Sequence, residues 1–325
     1  MIVDLPDTTT SKISKALVKI REEGGVVTLG RVLTLVIATT LGQEEEAIEA
    51  ANDASREHPM RVIVVSTAEK NGGSVPAAHV EPRLDAQIRV GGDAGASEVI
   101  VLRAYGDAAS DEESLVTGLL LPDAPVVAWW PGIAPPVVSK SALGRIATRR
   151  ITDASTQPDP HEALLHLSET YVPGDTDFAW TRLTLWRAQL AAVLDQPPFM
   201  PVTAVEVAGA PDSPSTILLG AWLRLQLDAP VQHDLTSRAK GSSGIHGVRL
   251  ERDGGTIELE RDMPGVATLV QPNQPTHDLA LPRRNLRDCL AEELRRLDPD
   301  DLYGEVITRG LALLEADEEK ASGSR

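Results

Sequence analysis

The chain has 325 residues, 42% of them hydrophobic and 24% charged, and its 48 acidic side chains outnumber 31 basic ones to give a net charge of -17. That length suits two compact domains better than one core, and that apolar share excludes a chain disordered over most of its length. The negative balance opposes binding to nucleic acid or an anionic membrane except through a local basic patch, and only short basic stretches occur.

The start, residues 1–12, has neither a basic n-region nor an apolar h-region, so no secretory signal is expected. The longest apolar-rich stretches, Val26 to Leu41 and Val116 to Trp130, are broken by polar residues or proline and are too short to span a bilayer. A cytoplasmic location is expected.

Leu33 to Thr39 is apolar and β-branched, as a strand buried on both faces requires. Gln43 to Glu57 is rich in Ala and Glu with acids at its start, where a helix dipole favours them, and Met60 to Ser66 is a second buried strand. Strand, helix and strand in this space predict a βαβ unit with parallel strands. Further strands are expected at Leu84 to Gly91, Glu98 to Tyr105, Ala124 to Trp130 and, as an edge, Arg149 to Ala154. A helix is expected over Asp111 to Leu121 with Ser110 as its cap.

Asp159 and Pro160 open a helix to Tyr171. From Asp175 to Asp195 the residues Ala179, Leu183, Trp186, Leu190 and Val193 form one apolar stripe, which predicts a single amphipathic helix. Beyond it come a strand at Val202 to Ala208, an apolar helix at Ser215 to Leu227, and a hairpin turned at Asp253-Gly254-Gly255. Val266 to Val270 and Asp278 to Leu281 extend that sheet, and helices at Asn285 to Leu297 and Pro299 to Leu314 close it. The expected fold class is therefore α/β in two domains. Residues 1–170 form a mostly parallel sheet with helices on its faces. Residues 171–316 form a smaller mixed α/β domain with the 175–195 helix as hinge, and 317–325 an acidic disordered tail.

No metal site or catalytic constellation is evident. His161 and His166 are five apart, about 140° around a helix, and so do not face one ion. Neither a P-loop nor a Rossmann glycine motif is present. Gly91, Gly92 and Gly95 lie between two expected strands. Gly241, Gly244 and Gly247 with Arg238, Lys240 and Arg249 could cradle an anion, though a plain loop explains them more simply. The lone Cys289 falls on the apolar side of a helix, where a core role is ordinary, and one cysteine permits no internal disulfide. No cofactor is expected.

The aromatic residues are few, and five of the ten are tryptophan. Trp129 and Trp130 are neighbours on a strand and must face opposite ways, so one of them is expected to meet the second domain, a ligand or a partner. Trp180 and Trp186 stand beside Arg182 and Arg187. Two readings are open: these residues pack the domains together, or they form a partner's hot spot.

In these same segments the chain resembles a known family. EAANDASREHPMRVIVV (49–65), LLLPDAPVVAWWPG (119–132), RRITDAS (149–155) and DFAWTRLTLWRAQLAAVLD (177–195) are similar to the glucose-6-phosphate dehydrogenase assembly proteins, OpcA, of actinobacteria and cyanobacteria. The excess of Arg over Lys also suits an actinobacterial genome. The resemblance implies a non-catalytic protein that binds glucose-6-phosphate dehydrogenase, promotes its active oligomer and raises its activity at the start of the oxidative pentose phosphate pathway. Cyanobacterial members are linked to redox control through cysteines, and a chain with one cysteine departs from them there. The expected partner-binding residues are Trp130, Arg150, Asp153, Asp177, Trp180, Arg182, Trp186 and Arg187. Trp130 and Trp180 would be the anchors, with the Arg and Asp side chains pairing around them. The alternative is an α/β enzyme or sensor that binds a phosphorylated sugar through Arg149, Arg150, Arg182 and Arg187 in an interdomain cleft. A sugar-phosphate or nucleotide effector is compatible with either reading.

Overall fold

The structure, a computed structural model, describes residues 1–24, 30–68, 81–91, 97–235 and 244–323. The chain divides into two compact units, Met1–Thr152 with Asn285–Pro299, and Asp153–Arg284 with Asp300–Arg325. By this division the units meet after Thr152 and Asn285–Pro299 interrupts the second, whereas the sequence reading expects a boundary near residue 170 and a continuous second domain. An amphipathic pattern predicts that a helix has an apolar face but not which sheet that face covers.

In the first unit, β1 (Ile2–Leu5) and α1 (Thr10–Gly24) precede the expected βαβ unit of β2 (Leu33–Thr40), α2 (Glu45–Ala54) and β3 (Met60–Thr67). β2 and β3 are parallel, in register from Leu33↔Met60 to Thr40↔Thr67. β4 (Arg83–Val90) is antiparallel to β1 and to β5 (Glu98–Tyr105), and β5 lies parallel to β3. α3 (Glu112–Thr117) is capped by Asp111, whose carboxylate accepts the Ser114 N–H, not by Ser110 as expected. β6 (Val126–Trp129), α4 (Ala142–Ile146) and β7 (Arg149–Thr152) follow, and hydrogen-bonded neighbours in this unit run β1-β4-β5-β3-β2-β6-β7. All four residues of β7, expected as an edge strand, are buried.

The near-continuous apolar runs of β2, β3 and β5 are buried on both faces, as the strands of a covered parallel sheet must be. One apolar core joins Ile13, Leu17 and Ile20 of α1 to Val36, Ile63, Ile100, Leu115, Leu143 and Trp130. The same sheet holds a buried charge cluster. Arg61 of β3 stands opposite Glu98 of β5 in register and donates to its carboxylate from Nε at 2.9 Å and Nη2 at 2.7 Å. Arg21 donates to Glu98 at 2.9 Å, and Arg31 lies 3.7 Å away.

In the second unit, α5 (Pro160–Thr170) begins where expected, with Asp159 accepting the His161 and Glu162 amides. The predicted single helix from Asp175 is instead three pieces: β8 (Asp175–Asp177), α6 (Phe178–Thr181) and α7 (Thr184–Leu194). Its apolar stripe is nonetheless buried throughout, from Ala179 to Val193. β9 (Ala204–Gly209), α8 (Pro214–Leu227) and β10 (Val231–Asp234) make a second parallel crossover. β11 (Ile245–Glu251), β12 (Ile257–Met263), β13 (Gly265–Val270) and β14 (His277–Leu281) then add antiparallel strands in the order β10-β9-β11-β12-β13-β14. The β11–β12 turn is the Asp253-Gly254-Gly255 turn expected, with Gly255 at φ +114°, where glycine is favoured.

The chain then returns to the first unit as α9 (Leu286–Arg295), which packs on α2. Arg149 donates to the Glu293 carboxylate from Nε at 2.9 Å and again from Nη2, and to the Asp298 carbonyl at 2.8 Å. Both partners of that ion pair are buried, which fixes α9 to β7. α10 (Asp301–Glu305), a π turn at Val306–Gly310 and α11 (Leu311–Gly323) rejoin the second unit. α11 takes up most of the segment expected as a disordered tail. The two glycine-rich loops considered for phosphate lie largely outside the described residues, including Arg238, Lys240 and Gly241. No helix among the described residues is long and apolar enough to cross a membrane.

Candidate binding site

The segment Asp177 to Arg187 supplies most of the expected site residues, and each has a local physical role. Asp177 is extended and ends β8; its carboxylate accepts the Ala179 N–H at 2.8 Å and the Ala154 N–H at 2.9 Å. It thus caps α6 and ties it to the start of the unit. Trp180 is buried, donates from Nε1 to Asp300 at 2.8 Å and packs against the Tyr303 ring at 5.9 Å. The Arg187 guanidinium lies 3.7 Å from the centroid of the Trp180 ring, close cation–π contact. Trp186 is buried in the same core.

Asp153 is 1% exposed and organises the turn after β7. It accepts the Ser155 N–H at 3.1 Å and the Ser155 hydroxyl at 2.5 Å. Arg182 donates to it from both terminal nitrogens, at 2.8 and 2.6 Å, the bidentate geometry that makes such pairs strong. Arg182→Ala would leave Asp153 buried with only the Ser155 donors. It should lower stability by about 1–3 kcal/mol, measurable as a fall in Tm.

Six of the eight expected residues, Trp130, Arg150, Asp153, Asp177, Trp180 and Trp186, are buried. Trp130 and Arg150 belong to the first unit, and the other six to the second. Trp130 lies in the first unit's core, and Arg150 is buried with Nη1 donating to the Ala147 carbonyl at 3.0 Å. Trp129, on the opposite face of β6, is fully buried too, so neither of the paired tryptophans is presented to solvent. Of the eight, Arg182 and Arg187 alone keep partial exposure. A covered sheet has two apolar faces, which is why both tryptophans of an alternating strand can be core residues.

Within the first unit Arg149 is held by Glu293 and Arg150 donates to a backbone carbonyl; within the second Arg187 stacks on Trp180, and Arg182 lines a cavity. That cavity, of about 370 Å³, lies wholly within the second unit. Its wall includes Ser155, Trp186, Asp212, the α8 start at Ser213 to Ser215, Ile245, Arg261, Pro282, Arg283 and Arg284. Arg284 donates to the Thr181 carbonyl at 2.9 Å. Arg261 donates to the Ile245 carbonyl at 2.6 Å and lies 5.4 Å from the Trp186 ring centroid. Burial, and then the neighbouring charge of Arg283, push the Arg261 guanidinium down to about 10. Sequence reading missed Arg261, Arg283 and Arg284. The available signal was a Pro-Arg-Arg step after the last strand of a strongly acidic chain.

Among the described residues no three His, Cys, Asp or Glu side chains come together as a metal site requires, and Cys289 is buried. Fold and site together define the class: a two-unit α/β protein whose second unit holds an arginine-lined cavity. The chain belongs to the glucose-6-phosphate dehydrogenase assembly family. The model for the glucose-6-phosphate dehydrogenase subunit N-terminal domain matches residues 51–169, and that for the C-terminal domain matches residues 173–307.

No curated protein matches the chain. Solved structures similar to it include an oxidoreductase from Sinorhizobium meliloti, at 11% identity and a TM-score of 0.47, with 90% of this chain and 98% of that one covered. An oxidoreductase from Pseudomonas syringae is 11% identical with a TM-score of 0.40, over 89% of this chain and 96% of that one. An inositol dehydrogenase homologue from Azotobacter vinelandii, solved with NADH and myo-inositol, is 9% identical with a TM-score of 0.37, over 90% of each chain. None of these bears on the chemistry of this chain.

Proposed function

We propose that this protein is a non-catalytic partner of glucose-6-phosphate dehydrogenase that binds the enzyme, promotes its active oligomer and raises its activity. It would act in the cytoplasm, at the first step of the oxidative pentose phosphate pathway. The observation that carries this reading is the match of two family models, in order, across residues 51–169 and 173–307. The partner-facing role falls to Arg182 and Arg187, held in place by the buried Asp153 and Trp180. Trp130, Arg150, Asp177 and Trp186 would support that surface from within.

The test is a glucose-6-phosphate dehydrogenase assay with the enzyme of the same organism, with and without this protein at micromolar concentration. Parallel samples pass through size-exclusion chromatography with light scattering. A co-eluting complex of higher mass with increased activity is expected. Two separate peaks and an unchanged rate would overturn the proposal.

A further inference from the structure

We propose that the second unit binds a small phosphorylated metabolite in the cavity between the start of α8 and the Pro282-Arg283-Arg284 segment. Among the described residues four guanidinium groups line this space, those of Arg182, which is paired with Asp153, and of Arg261, Arg283 and Arg284, with Asp212 the one carboxylate of the wall. In a chain of net charge -17, such a reversal of sign within one concavity concentrates anions there. The volume of about 370 Å³ is that of a small-molecule pocket, too narrow for a folded partner surface.

Arg261 identifies the position of the charge. Its neighbours here are a backbone carbonyl and the face of Trp186, and no described carboxylate lies within ion-pair distance. A half-buried guanidinium that feels the charge of a second one is held at a cost that a dianion placed between them relieves. The start of α8 adds to this. Ser213 and Pro214 open a 14-residue helix whose first turn carries no acidic side chain, so the positive end of its dipole faces the cavity uncancelled by its own residues. A phosphomonoester satisfies these features together. Its phosphate sits with Arg261 and Arg283 near the α8 start, and its organic part lies beside Trp186, where the oxygens of Ser155 and Ser215, whose protons go to Asp153 and the Ala179 carbonyl, can accept from sugar hydroxyls. The binding stands on the cavity alone and does not depend on the dehydrogenase.

The experiment is isothermal titration calorimetry on the full chain at 150 mM salt. Inorganic phosphate, sulfate, a hexose 6-phosphate, the parent hexose and adenosine 2′,5′-bisphosphate are titrated in turn, with melting temperatures read in parallel. A phosphorylated ligand is expected to bind and to raise Tm, and the parent hexose to do neither. The relative affinities of hexose phosphate and nucleotide separate the two sources of the phosphate. Arg283→Ala and Arg261→Lys should each weaken binding at least about 10-fold while Tm without ligand stays within about 2 °C of the parent. Arg145→Ala, a surface arginine of the other unit, should bind as the parent does. No heat and no Tm shift from any of the three phosphates at millimolar concentration would overturn the proposal. So would binding that survives Arg261→Lys and Arg283→Ala, or sulfate binding as tightly as every phosphate, an adventitious ion only. Loss of dehydrogenase association in these variants without small-anion binding would assign the cavity to an acidic segment of the enzyme instead, and would equally overturn it.

Discussion

Trp180→Ala should lower the stability of the second unit by about 3–5 kcal/mol, the range for deleting a large buried aromatic. Four contacts disappear together: the Tyr303 ring, the Nε1–H bond to Asp300, the cation–π contact of Arg187 and the packing of the surrounding core. Thermal or urea unfolding, monitored by near-UV circular dichroism, reads the effect. An unchanged Tm with lost dehydrogenase binding would instead make Trp180 an exposed anchor and contradict its burial. Arg187→Ala separates the roles further. It should cost little stability beyond the cation–π contact, about 0.5–2 kcal/mol, and should weaken the complex if the partner docks on this face.

Glu98→Ala should cost the first unit about 3–5 kcal/mol, because it leaves the buried Arg61 without its counter-charge. The remaining partner of Arg61 here is the Leu119 carbonyl, and Arg21 and Arg31 stay nearby with like charge. The carboxyl titrates below its usual value of 4.5. Burial, the largest single influence, pushes it up, but the Arg21 hydrogen bond and the charges of Arg61, Arg31 and Arg21 together outweigh burial. A carboxyl lowered on folding contributes stability that is fully present above the unfolded value and is lost as pH falls through the folded one. The gap in unfolding free energy between the parent and Glu98→Gln should therefore be full above pH 4.5 and narrow as pH falls below it, through the lowered folded value. A gap constant over that range would show that Glu98 does not fold in its ionised form.

The legibility of the fold in the sequence differs by element. The β2–α2–β3 unit, the Asp159 cap of α5, α8 and the β11–β12 hairpin each follow from residues adjacent in sequence, and each forms as expected. The break after Asp177 was also written locally, since Asp is a favoured cap and its extended backbone stops a helix from starting two residues earlier. The apolar stripe hid it, because α6 and α7 keep nearly the same face toward the core. What local pattern cannot carry is long-range choice. Nothing in Leu286 to Arg295 states that its apolar side covers the first sheet, and nothing in Arg261 states that Arg283 will stand beside it. For the same reason the tryptophan–arginine motif was recognisable as specific, while the burial of its members was not.

The return of α9 to the first unit has a consequence for biosynthesis. Arg149 is translated well over a hundred residues before Glu293, its buried partner. As the chain emerges from the ribosome, the first unit stays incomplete until nearly all of the second has been made, so it cannot finish folding ahead of it as N-terminal domains generally do. A nonsense mutation anywhere before residue 285 should thus release not one intact half but a fragment with both halves unfinished, a ready target for cellular proteases.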